Sequence, residues 1–185
     1  MLSERERLAR DEFNDTQNEM QAWLEEIEAE RVDVHYDGVG LLKRIRFWLT
    51  ENGVRRLLDD PDQEVRNFIA NLRKVQALPG RGTWFWSHLW MEMPEGVLHQ
   101  ESDWMREPLI SGEPIRDGNF AFELDQFPRD PEWIPEWMAT KAAAYHQEKE
   151  KRERRRQRDR ERRAKKKAEA AQAEGTSGSD GPAGE

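Results

Sequence analysis

The chain has 185 residues, of which 37% are charged, with a mean hydropathy of −1.06 and no cysteine. That length allows one domain or two small ones, and the missing cysteines exclude a disulfide scaffold, a thiolate zinc site and a cysteine nucleophile. No apolar run approaches the roughly 20 residues that cross a bilayer. The start, MLSERERLAR, lacks the apolar stretch of a signal peptide, so a cytoplasmic protein without membrane contact is expected.

The net charge of −8 conceals an asymmetry. Residues 149–167 hold 13 Lys/Arg against four Asp/Glu, whereas residues 1–148 hold 17 against 30. The acidic part repels nucleic acid and the basic stretch attracts it.

In chain order, residues 3–31 read as a helix: Ser3 and Glu6 have capping-box spacing, and neither Gly nor Pro interrupts. Phe13, Met20 and Ile27, with Trp23 and Leu24 alongside, form a narrow stripe suited to one partner helix. Val32 and Val34 alternate before Asp37-Gly38, a turn pair. Leu41, Leu42, Ile45, Trp48 and Leu49 follow helical spacing up to Asn52-Gly53, and Val54, Leu57 and Leu58 continue as a short helical piece. Asp60 offers an N-cap with Pro61 at the first helical position. Val65, Phe68, Ile69, Leu72 and Val75 then give the strongest helical period in the chain, closed by Leu78-Pro79-Gly80.

The stretch Gly53–Val75, with LLDDPDQEVR at 57–66, resembles the helix–turn–helix of a single HEAT-type repeat. No second copy is present, and stacked repeats need about three units. The stretch is therefore read as an antiparallel helix pair with no function carried over.

From Gly80 to Pro135 prolines and tryptophans dominate. Trp86, Leu89, Trp90 and Met93 fit one helical face, although Trp84 and Trp86 could equally open a strand. Phe120, Phe122 and Leu124 alternate after Asp117-Gly118, which predicts a strand paired with 108–110 or with the piece around Ile115. Successive starts at Asp130-Pro131 and Pro135-Glu136 open a helix over 136–173 that carries nothing larger than alanine after Tyr145 among its apolar residues. The expected architecture is mainly α. It comprises a helical subdomain at 1–79, a Trp/Pro-rich segment at 80–135 with a minor β hairpin, a long projecting helix at 136–173 and a disordered tail at 174–185.

The search for chemistry is mostly negative. His35, His88, His99 and His146 fall at no ligand spacing, and no nucleophile elbow, phosphate loop, zinc-protease or dinucleotide motif occurs. Glu101, Asp103 and Glu107 near Trp104 could line a cleft, but a solvated loop accounts for them. No enzyme, metal or cofactor is expected. Trp84, Trp86, Trp90 and Trp104 are the candidates for packing against a partner protein, in competition with core roles.

The basic stretch is the pronounced signal. Arg152, Arg154, Arg155, Arg156, Arg158, Arg160, Arg162, Arg163, Lys165, Lys166 and Lys167 surround the helix instead of forming one reading face. That pattern suits non-specific attraction to DNA or RNA phosphates. The expected function is a non-enzymatic adaptor or accessory protein, its acidic body on a protein partner and its arm on nucleic acid. The alternative is an assembly factor or chaperone of a larger particle, such as a viral morphogenesis protein. In that reading the helices at 3–31 and 136–173 would oligomerise and bind no nucleic acid.

Overall fold

The structure, a computed structural model, describes residues 3–110 and 115–176, with side chains up to residue 168. By its internal contacts the chain divides into a body, Met1–Ala143, and a second unit, Ala144–Glu185.

The capping box forms as its spacing predicts. The Glu6 carboxylate accepts from the Ser3 N–H at 2.7 Å and the Ser3 hydroxyl accepts from the Glu6 N–H, opening α1, Glu4–Glu26. The helix stops short of residue 31 because Glu28 adopts a left-handed φ of 54° and the chain enters a strand. Strands β1 (Arg31–Val39), β2 (Leu42–Glu51) and β3 (Val54–Leu58) follow as a meander, then α2 (Gln63–Val75), β4 (Trp86–Glu92) and β5 (His99–Asp103). The chain continues through α3 (Asp117–Gln126), a 3-10 turn at Pro131–Trp133 and α4 (Glu136–Thr176). One sheet of order β3-β2-β1-β4-β5 results, antiparallel throughout.

The fold is therefore α+β and not mainly α: among the described residues four α-helices accompany a five-stranded sheet. Residues 42–51 and 54–58, expected to be helical, are strands. The register explains the switch, since Ile45, Phe47 and Leu49 alternate toward the helices opposite Tyr36, Val34 and Val32 of β1. The HEAT-like reading fails in its first half, where β3 stands in place of a helix. In its second half the N-cap is Asp62, which accepts from the Glu64 and Val65 N–H groups at 2.7 and 3.1 Å, rather than Asp60. Asp37-Gly38 lies inside β1, the turn being made three residues later at Gly40-Leu41.

Residues 86–92 form a strand and not a helical face. Residues 117–126 form a helix in place of the expected strand, and neither suggested mate, 108–110 or Ile115, is in a strand, so no hairpin is built there; 111–114 lie outside the described residues. The long helix is realised and runs to Thr176, three residues into the expected tail, while 177–185 lie outside the described residues. Among the described residues no helix is long and apolar enough to cross a membrane.

Two cores organise the body. Helices α1 and α2 lie together on one face of the sheet, where Met20, Trp23, Leu24, Val65, Ile69 and Leu72 meet Val32, Val34, Phe47, Leu49, Leu89 and Met91. A smaller core joins Val39 and Phe85 to Phe120 and Ala121 of α3 and to Met138 and Ala142 in the first turns of α4. Between them lies a buried ion pair. Arg73 of α2 donates to Glu123 of α3 at 2.7 Å and to the Trp84 carbonyl at 2.9 Å, and the other Glu123 oxygen accepts from the Gly40 N–H at 2.7 Å. Gly40 is required there, because a Cβ would stand 2.5 Å from the Asn119 carbonyl oxygen and φ is +60°.

Removing one partner of such a pair strands a charge in the interior. Glu123→Ala is expected to lower the unfolding free energy by about 3–5 kcal/mol, read as a shift in the urea midpoint.

Candidate functional site

Two surfaces carry the residues singled out by the sequence. The first is the face of the sheet opposite α1 and α2. Alternation along each strand brings Asp33, His35 and Asp37 of β1, Arg44, Arg46 and Trp48 of β2, Trp86, His88 and Trp90 of β4 and His99 of β5 onto it. His35 and His88, paired across β1 and β4, stack in parallel with ring centres 4.5 Å apart. His88 stacks on Trp90 at 4.8 Å, and Trp90 on His99 at 5.1 Å. Arg55 of β3 covers Trp48 at 4.8 Å, and Arg106 covers Trp86 at 4.6 Å. These rings are half-buried or exposed.

Asp33 anchors the row. Its side chain is 7% exposed, receives two hydrogen bonds from Arg31 at 2.8 Å and lies 2.9 Å from His88 Nε2. Burial works against its charge, but the hydrogen bonds and positive charge of Arg31 and His88 outweigh it and hold the carboxyl at about 2. Arg31 is held in turn by Glu92, and its guanidinium is pushed above its ordinary value, chiefly by the Asp33 hydrogen bonds. Asp37 accepts from the Leu109 N–H at 3.0 Å and lies 3.6 Å from Arg46. Burial first, then the positive charges of His88 and Arg46, lower His35 below the ordinary histidine range.

The four predicted partner-binding tryptophans are separated. Trp84 is fully buried in the helix-side core, edge-on to Tyr36 at 4.9 Å, with its indole N–H donating to Gln76 at 2.8 Å. Trp86 and Trp90 share the open face. Trp104 sits apart, its ring against the Arg81 guanidinium at 4.0 Å, with Trp133 on that guanidinium at 4.1 Å. The carboxylates near Trp104 do not converge: Asp103 caps the Met105 and Arg106 N–H groups, Glu107 pairs with Lys141, and Glu101 is exposed on β5. Among the described residues no three His, Asp or Glu side chains are grouped to hold a metal. Sequence reasoning missed Trp48, the Arg44–Arg46–Arg55 group and the His35–His88–His99 row. The signal was present in LKRIRFWLT, where Arg44, Arg46 and Trp48 alternate with Ile45, Phe47 and Leu49.

The second surface is the basic stretch of α4. Every side chain from Ala143 to Ala168 is exposed. Glu148–Arg152 and Glu150–Arg154 pair at i, i+4 with separations of 3.2 and 3.4 Å, as their spacing predicts. Asp159 and Arg163 do not come within ion-pair distance among the described residues, and Gln157 donates to Glu161 at 3.0 Å. Arg155, Arg156, Arg158, Arg160, Arg162 and Arg163 have no carboxylate within ion-pair distance among the described residues. No family model matches the chain, and no curated protein matches it.

His35 makes the open face responsive to pH. Its folded value lies below the unfolded one, so the unfolded chain binds more protons in the interval between them, and stability declines as pH falls below about 6.5. His35→Gln is expected to flatten that decline between neutral pH and the folded value, as seen in thermal melts across the range.

Proposed function

We propose that the protein is a non-enzymatic adaptor that contacts nucleic-acid phosphates through residues 149–167 and a protein partner through its body. One observation carries this reading: six arginines on the continuous, exposed stretch of α4 have no carboxylate partner among the described residues. Guanidinium groups on all sides of a helix suit a diffuse phosphate field rather than base edges, so the interaction is sequence-independent and governed by counterion release. Lys165, Lys166 and Lys167 extend the same charge. For the body, support comes from Trp86 and Trp90 on a half-exposed face with arginines nearby, the residue types that dominate protein interfaces.

The test compares the full chain with a full-length variant in which Arg155, Arg156, Arg158, Arg160, Arg162 and Arg163 are all glutamine. Labelled duplex DNA and single-stranded RNA serve as probes over a range of salt. With six phosphate contacts, duplex affinity is expected to fall about a thousandfold between roughly 50 and 200 mM salt, and the variant loses most of both the affinity and the salt slope. Absence of binding at low salt, or binding that ignores the six substitutions, would overturn the reading. The first of these outcomes favours an assembly factor acting through protein contacts alone.

A further inference from the structure

A second, smaller feature of the body lies on the helix side of the sheet, at the β1–β2 turn. Tyr36 points toward the helices with 4% of its surface exposed. Two residues along the strand, Gly38 presents no side chain, and a Cβ there would stand 2.5 Å from Tyr36 Cε1 and 2.8 Å from its hydroxyl oxygen. The phenol ring therefore lies along the strand above Gly38, with its hydroxyl directed toward the turn. There it borders a pocket of about 320 Å³ between α2, the β1–β2 turn and the end of α3. Among the described residues the hydroxyl has no hydrogen-bond partner, and it is not one of the unpaired side-chain atoms sealed from water, so it opens onto the pocket.

The charge around that hydroxyl is one-sided. Lys43 of β2 and Lys74 of α2 line the pocket, and neither has a carboxylate within ion-pair distance among the described residues. Arg73 forms one wall but is neutralised by Glu123 at 2.7 Å. The uncompensated charge is thus that of the two lysines, in a chain whose residues 1–148 carry 30 acidic groups against 17 basic. Burial pushes the phenol above its ordinary value, so it stays a hydrogen-bond donor at neutral pH. Gln126 adds an amide, and the Phe127 ring supplies an apolar wall.

We infer that this pocket binds a small organic oxyanion, a carboxylate or phosphate monoester whose charged end meets Lys43, Lys74 and the Tyr36 hydroxyl while its apolar remainder rests on Phe127. An aliphatic or aromatic body of a few carbons fits the volume. A neutral analogue of the same shape supplies no charge for the lysines and is rejected.

The test is an NMR titration of the ¹⁵N-labelled full chain with benzoate, phenyl phosphate and neutral benzamide. Saturable shifts are expected at the Gly40, Lys43, Lys74 and Gln126 amides with one or both anions, and none with benzamide. Tyr36→Phe should weaken binding about tenfold, since it removes a hydrogen bond to a charged acceptor, and the double variant Lys43→Gln/Lys74→Gln should abolish it. Because the free hydroxyl is unpaired, Tyr36→Phe should leave the urea midpoint unchanged or raise it, which separates loss of binding from loss of fold. Benzoate against phenyl phosphate distinguishes the two anion types. No shift with either anion at millimolar concentration, equal shifts with benzamide, or shifts that persist in the double lysine variant would overturn the assignment.

Discussion

The body is held in register by one buried ion pair. Arg73 and Glu123 come from helices far apart in sequence, and each is almost wholly removed from water. Neither charge is tolerable without the other. Their remaining valences reach the backbone: Arg73 holds the Trp84 carbonyl, and Glu123 holds the Gly40 N–H. The pair therefore fixes α2, α3, the β1–β2 turn and the entry to β4 together, at the seam between the two cores. Thr83 closes the arrangement by donating to the Arg73 carbonyl at 2.8 Å. Replacing such a pair by apolar side chains of similar volume is often neutral in stability; what the pair supplies here is geometry, since three hydrogen bonds join α2 to α3 and to Trp84, and α3 to the β1–β2 turn.

A second buried cation completes the smaller core by other means. Among the described residues Arg129 has no carboxylate partner, and its guanidinium donates to the carbonyl oxygens of Thr83, Trp104 and Trp133 while lying 4.1 Å from the Phe85 ring. Burial draws it down to about 10, still high enough for it to stay charged at neutral pH. Carbonyl dipoles thus do for Arg129 what a carboxylate does for Arg73. Two of these carbonyls, Trp104 and Trp133, come after β5 in the chain and the third, Thr83, comes before β4, so Arg129 ties both stretches together.

Which parts of this were legible from the residues follows from how much each segment's pattern constrains. Helices α1 and α2 and the start of α4 have local signals, the caps at Ser3 and Pro135-Glu136 and the Val65–Val75 period, and these suffice. The sheet lacked such signals, because Leu41, Leu42, Ile45, Trp48 and Leu49 satisfy a helical period while Ile45, Phe47 and Leu49 satisfy a strand period. Only pairing with β1, a tertiary fact, decides between them. The reverse happened at Asn119–Leu124, where true alternation sits in a helix because Phe120 and Ala121 enter the core side by side and Glu123 must reach Arg73. Among the site residues the basic stretch was visible as composition. The imidazole–indole row was not, since His35, His88 and His99 belong to three strands and meet only through register.

Among the described residues the sheet ends on both sides in short strands, β3 and β5, with no further strand beside them, the kind of edge on which foreign strands grow. At β3 that growth meets charge on each face of the strand. Arg55 stands over Trp48, and Arg56 is clamped to Glu51 by bonds of 3.0 and 2.7 Å, so both guanidiniums are held in place beside the edge. At β5 the strand HQESD offers no apolar side chain to an incoming partner. An incoming strand would thus meet held charge at β3 and polar side chains at β5. High ionic strength weakens the part of that protection that is charge, without touching either core, and of the two faces only the one opposite α1 and α2 stays open.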